Sequence, residues 1–118
     1  MDVSGRTAVV TGAAGGIGAA LAAELVDRGA RVLLADLDPA VETTAQSLSQ
    51  PHWAGDVSSN DGVDALLEAA RQQLGGIDLY FANAGIGGAS GLGDDGDWDT
   101  IIDVNLRAHI RAAQRLIP

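Results

Sequence analysis

The sequence predicts an α/β domain built on a doubly wound parallel sheet, and three observations predict it. Short apolar runs rich in β-branched residues alternate four times with stretches of helical spacing. A glycine-rich turn, Thr11 to Gly18, separates the first such run from the first helical stretch. An acid, Asp36, stands at the carboxyl end of the second run. Alternating strands and helices imply parallel pairing through right-handed crossovers.

Each element has its own signal. Ala8-Val9-Val10 is the first strand, and Ile17, Leu21, Leu25 and Val26 then fall on one helical face until Gly29 stops the helix. Arg31 to Ala35 is too short an apolar run for a helix and reads as the second strand. Asp38-Pro39 supplies an N-cap and a proline at the first helical position, predicting a helix from Pro39 to Leu48 that Pro51 ends. His52 to Gly55 is the third strand, and Ser58-Ser59-Asn60 caps the helix that follows. Val63, Leu66, Leu67, Ala70 and Leu74 form an amphipathic stripe on that helix, closed by Gly75-Gly76. Leu79 to Ala82 reads as a fourth, buried strand, and a glycine-rich loop from Gly85 to Gly96 leads to a last helix over Asp97–Ile117.

The first two crossovers place strands 2 and 3 on one side of strand 1, and the next returns the chain to its other side. The predicted order is 3-2-1-4, a partial Rossmann-like sheet whose switch point lies between strands 1 and 4. Residues 1–118 read as one domain of this kind.

Composition narrows the function. The formal net charge is -9 and there is no cysteine, so disulfides and thiolate metal sites are excluded. All seven basic residues are arginine, which leaves no lysine for a P-loop, a Schiff base or a lysine-assisted proton relay. No basic stripe exists to meet a phosphate backbone, and nucleic acid is not an expected partner. Thr7 to Ala23 is uncharged but mostly Ala and Gly, too weakly apolar for a membrane span. No signal peptide is legible at Met1-Asp2-Val3, and the expected compartment is the cytoplasm.

The turn between the first strand and helix is where a doubly wound fold holds a pyrophosphate: glycines admit the backbone to the phosphates, and the helix N-terminus offers N–H donors. Gly12, Gly16, Ile17 and Gly18 are the candidates. A turn selected for tight packing alone is the plainer alternative. Asp36, 18 residues beyond Gly18, suits the carboxylate that accepts hydrogen bonds from an adenine-side ribose. Asp38 already suits the other role, capping the next helix. A carboxylate at that place repels a 2′-phosphate and no base stands nearby, which favours NAD over NADP.

Thr11-Gly12 through Gly16-Ile17-Gly18 resembles the TGxxxGIG turn of the short-chain dehydrogenase/reductase family, and three further motifs stand in that family's order. Gly55-Asp56-Val57 resembles its adenine-contacting segment, implying that Asp56 meets the adenine amino group with Val57 beside it. Ala82-Asn83-Ala84-Gly85 resembles NNAG, which implies that Asn83 ties strands together next to the cofactor, with Ala84 and Gly85 following; Ala82 departs from the pattern. Asp103-Val104-Asn105-Leu106 resembles the helix-4 segment whose Asn, here Asn105, supports the catalytic lysine through water.

The resemblance implies an NAD(P)-dependent oxidoreductase moving hydride between a nicotinamide and a secondary alcohol or ketone. It also implies that the catalytic Ser, Tyr and Lys lie on a fifth strand and helix, whereas this sequence reaches Pro118 within or just after helix 4. Tyr80 is the sole tyrosine and has Ala84 four residues on, so no YxxxK is present. The expectation is a chain that supplies the dinucleotide-binding half, incomplete at its carboxyl end. Two alternatives stand open: a non-catalytic NAD-binding module, and a half-protein that needs a partner chain. Helix 4 spreads Ile101, Ile102, Val104, Leu106, Ile110, Ala113 and Ile117 over more than one face, which suggests homo-oligomeric contact.

Other constellations are weaker. Asp94 to Asp99 has a calcium-loop composition, but counted from Asp95 the sixth position is Thr100 and the twelfth Leu106, so no metal is expected. These acids fit a helix N-terminus better. His52 and His109 read as a strand-edge and a helix-surface histidine, and Trp98 as packing at the start of helix 4 or flanking a substrate mouth.

Overall fold

The computed structural model describes residues 1–86 and 93–118. Its strands are β1 (Thr7–Thr11), β2 (Arg31–Asp36), β3 (His52–Ala54) and β4 (Leu79–Phe81), ordered β3-β2-β1-β4. All three pairings are parallel, with Thr11 opposite Ala35, Val10 opposite Phe81, and Asp36 opposite Ala54. This register brings the carboxyl ends of all four strands to one rim, so the segments that follow them meet there.

Helices cover both faces. α1 (Gly16–Asp27) and α2 (Val41–Ser47) pack on one side, and α3 (Asn60–Leu74) on the other. The period-2 alternation of the strands sorts the core: Ala8, Val10, Val32 and Leu34 face α1 and α2, while Val9, Leu33 and Ala35 face α3. Leu33 is fully buried, so truncation to alanine there costs about 2–5 kcal/mol.

The α3 stripe is as expected: Val63, Leu66, Leu67, Ala70 and Leu74 are all buried. Ser59 caps the helix by accepting from the Gly62 amide, and Gly75 ends it at φ 84°, a left-handed cap open to glycine. The α1 stripe holds for Leu21, Leu25 and Val26 but not for Ile17. Its buried residues are Gly18, Ala22 and Leu25, with Leu21 and Val26 partly buried, while Ile17 is 79% exposed. Gly18 faces inward because the start of α1 lies hard against the turn that precedes it.

α2 also starts later than Pro39. Asp38 to Ala40 form a tighter turn in which the Val41 and Glu42 amides donate to the Asp38 and Pro39 carbonyls, and the Asp38 carboxylate caps the Ala40 amide. β4 is half-buried rather than buried, since it pairs on one edge only, with β1.

The last helix begins at Asp95 and is not uniform. α4 (Asp95–Ile102) passes through a π-helical turn, Asp103–Arg107, into α5 (Ala108–Leu116). The Asp94 carboxylate caps α4 from outside, accepting from the Asp97 amide while Asp97 returns the bond, so the acidic run is a solvated capping box. α5 docks on α3 through Ala112 against Val63 and Leu67. At its far end Arg115 bonds Asn60 and pairs with Asp64, whose carboxyl the guanidinium holds below its ordinary range. Of the expected loop from Gly85 to Gly96, residues 87–92 lie outside the described residues.

Candidate cofactor site

The rim where the strands end is also where the chain changes direction after each strand. Gly12 leaves β1 at φ 68°, and a Cβ there would stand 3.0 Å from both the Ala84 Cα and the Asn83 Nδ2. Gly18 is required for another reason: its Cβ would fall 2.1 Å from the Gly12 carbonyl oxygen. The turn thus admits close backbone approach only because both residues lack side chains. Gly15 offers α1 no side-chain cap, and the first turn holds no acid. Its N–H groups, those of Gly16, Ile17 and Gly18 among them, suit an anion.

Asp36 closes β2 and is moored twice. Its Oδ2 accepts from the Ala14 amide at 2.9 Å and its Oδ1 from the Asp38 amide at 3.0 Å. The carboxylate therefore shapes the glycine turn as well as facing the cleft, a role the spacing argument did not foresee. Thr44, from α2, adds a hydroxyl bond to the Ala14 carbonyl at 2.7 Å.

Asp56 and Val57 follow β3. Asp56 is exposed and accepts from the Ser58 amide at 2.8 Å, while Val57 packs on the α3 side of the core. Gly55 lies under the Trp53 indole, whose ring carbons would meet a Cβ there at 2.4 Å.

After β4, Asn83 donates from Nδ2 to the Thr11 carbonyl at 3.1 Å and reaches the Gly12 carbonyl at 3.4 Å, tying β4 to the turn after β1. The Asn83 and Ala84 amides both donate to the Thr11 hydroxyl, at 3.0 and 2.9 Å. That hydroxyl donates in turn to the Phe81 carbonyl at 3.3 Å. Sequence reasoning gave Thr11 no such part, although a threonine ending a buried strand beside a glycine was the available signal.

Asn105 lies on the π-helical turn. It holds Ile86 by both main-chain groups, accepting from the amide at 2.7 Å and donating to the carbonyl at 2.8 Å. Four residues on, His109 bonds the Ala84 carbonyl at 3.2 Å, so it is not the free surface histidine expected. His52 is exposed on edge strand β3 as expected.

These segments enclose a cleft of about 300 Å³. Gly12, Asp36, Asp56, Val57, Asn83, Ala84 and Gly85 line it, with Ile86, Thr100 and Val104 on the α4 side. Gly16, Ile17, Gly18 and Asn105 are not among its lining residues. Nor is Tyr80, whose phenol is pushed up to about 12 by burial and is unsuited to proton transfer near neutrality. Trp98 is about half exposed at the start of α4 and does not line the cleft. Among the described residues no cluster of His, Cys, Asp or Glu is placed to hold a metal, and no helix is long and apolar enough to cross a membrane.

The sequence model of the family described as short chain dehydrogenase matches residues 6–118. The chain belongs to the short-chain dehydrogenase family. An uncharacterised oxidoreductase of Staphylococcus aureus is 37% identical over 119 residues, covering 96% of this chain and 52% of the relative. A 3-ketoacyl-(acyl-carrier-protein) reductase from Brucella melitensis, solved with NADH, superposes with a TM-score of 0.92 at 34% identity, covering 98% of this chain and 50% of the other. An L-sorbose reductase from Gluconobacter frateurii, solved with NADPH and L-sorbose, gives 0.91 at 32% identity, covering 100% and 49%. The chain spans about half the length of the curated relatives it matches. In the short-chain dehydrogenase frame the glycine turn, Asp36 and the 83–85 segment stand at the switch point between β1 and β4 and on its β2 side, where a doubly wound fold takes its ligand.

Proposed function

We propose that this chain supplies the dinucleotide-binding half of a short-chain oxidoreductase that moves hydride between NAD and a secondary alcohol or ketone. The fit of the cofactor is supported by the turn itself, where Gly12 and Gly18 leave space that a Cβ would fill. Gly12, Gly16, Ile17 and Gly18 would meet the pyrophosphate, Asp36 the adenine-side ribose, Asp56 and Val57 the adenine, and Asn83, Ala84 and Gly85 the nicotinamide side. Asn105 would support catalysis by holding Ile86. The bound nicotinamide supplies a carbon that gains or gives up hydride as the carbinol carbon is oxidised or the carbonyl reduced. With no lysine in the 118 residues, transfer of the hydroxyl proton is assigned to groups outside them.

The observation that carries the reading is the Asp36 carboxylate, held at the end of β2 by the Ala14 and Asp38 amides. A fixed negative charge there favours a ribose diol over a 2′-phosphate, hence NAD over NADP. Leu106 and Ile110 on the last helix are 54% and 45% exposed, which supports contact between copies of the protein through that helix.

Calorimetric titration with NAD and NADP tests the proposal. The wild-type chain is expected to prefer NAD, and Asp36→Asn, which removes the charge and keeps one of the two acceptor oxygens, is expected to narrow that preference about tenfold. Binding of neither dinucleotide at millimolar concentration would sink the reading, and an unchanged preference in Asp36→Asn would remove Asp36 from its cause.

A further inference from the structure

We propose that His109 is a positioning residue of the cofactor site, forming with Asn105 a two-point clamp on the Ala84-Gly85-Ile86 segment. The assignment of a purpose to this clamp rests on the cofactor reading above. The two residues are four apart on a continuous helix, which brings their side chains to one face. Asn105 takes both main-chain groups of Ile86, and His109 Nε2 meets the Ala84 carbonyl at 3.2 Å. A carbonyl can only accept, so Nε2 carries the proton and donates.

Ala84 is thereby held at both main-chain groups. Its amide donates to the Thr11 hydroxyl at 2.9 Å and its carbonyl receives His109. Its Cα lies so close to Gly12 that a Cβ there would stand 3.0 Å from it, which places Ala84 directly beside the glycine turn. His109 ties its carbonyl to the last helix. The gap between the glycine turn and the 84–86 wall is consequently set from the last helix, by a side chain that does not itself line the cleft.

Glutamine and leucine at position 109 separate hydrogen bonding from packing, because the glutamine amide nitrogen reaches about as far as histidine Nε2 and can donate, while leucine fills space and cannot. Amide hydrogen exchange of the 118-residue protein, read at Ala84 and Ile86, gives one measure of the clamp, and NAD affinity by titration the other. His109→Leu is expected to speed exchange at both amides and to weaken NAD about tenfold, with His109→Gln staying within about threefold of wild type. The proposal is overturned if leucine protects the two amides, or binds NAD, as well as or better than glutamine, or if both variants behave as wild type. Should the wild-type chain bind no NAD, the cofactor reading fails on its own, and the exchange ordering alone then decides whether His109 holds Ala84.

Discussion

The Arg111 guanidinium donates a 2.7 Å hydrogen bond to the Ser58 carbonyl oxygen, joining α5 to the loop that follows β3. The same guanidinium lies 3.6 Å from the Asp103 carboxylate, to which Arg107 donates at 3.0 Å. One side chain therefore connects the loop carrying Asp56 with the turn carrying Asn105, two walls of the same cleft.

Removing that connection has a measurable cost. Arg111→Met leaves the part-buried Ser58 carbonyl without its side-chain donor and the Asp103 carboxylate with Arg107 alone, and is expected to lower stability by about 1–2 kcal/mol. Arg111→Lys should recover only part of it, because a single ammonium cannot reproduce the planar fork. Urea midpoints of the three proteins check the order; equal midpoints would show that the bridge contributes nothing.

Gly18→Ala tests the close approach of α1 to its turn. The new Cβ meets a backbone oxygen at 2.1 Å, which cannot give way as a flexible side chain would, and the expected loss is about 3 kcal/mol or more. Gly76→Ala is the control, since no atom lies within 4 Å of its Cβ position, and it should stay within about 0.5 kcal/mol of wild type. Thermal melts of the two variants would contradict the packing argument if they moved together.

Tyr80 gives a prediction at alkaline pH. Burial favours its neutral phenol and raises its pKa to about 12, above the value of about 10 expected in the unfolded chain. A raised folded value means the associated stability is whole below pH 10 and is lost as pH climbs from about 10 to about 12. As the only tyrosine, it can be followed alone by phenolate absorbance, which should remain absent at pH 10.5 in the folded protein and appear on adding urea. Half-ionisation near pH 10 without unfolding would show the ring to be solvated.

Much of this architecture was legible because it is written locally. The 3-2-1-4 order followed from alternation and handedness, and the α3 stripe from five apolar positions at helical spacing, all five buried. Asn83 proved to tie β4 to β1, as its motif implied. What escaped was set by contacts between distant segments. Ile17 has the spacing of a core residue yet is exposed, while the residue after it had to be glycine to fit against the turn. The hydroxyls of Thr11 and Thr44 and the ring of His109 bond main-chain groups 70, 30 and 25 residues away, with no short-range pattern to announce them. The π-helical turn likewise has no sequence signal, since Asp103 to Arg107 reads as ordinary helix.

That turn is, in the arithmetic of the chain, an insertion the helix has absorbed without shifting either end. Winding the same residues as regular α-helix would rotate everything beyond them by about 100°. His109, Arg111 and Arg115 would swing away from Ala84, Ser58 and Asp64 together, with every one of those side chains still present. The winding of this helix is thus a specification in its own right: a regularly wound version keeps the residue types of the site and loses the site.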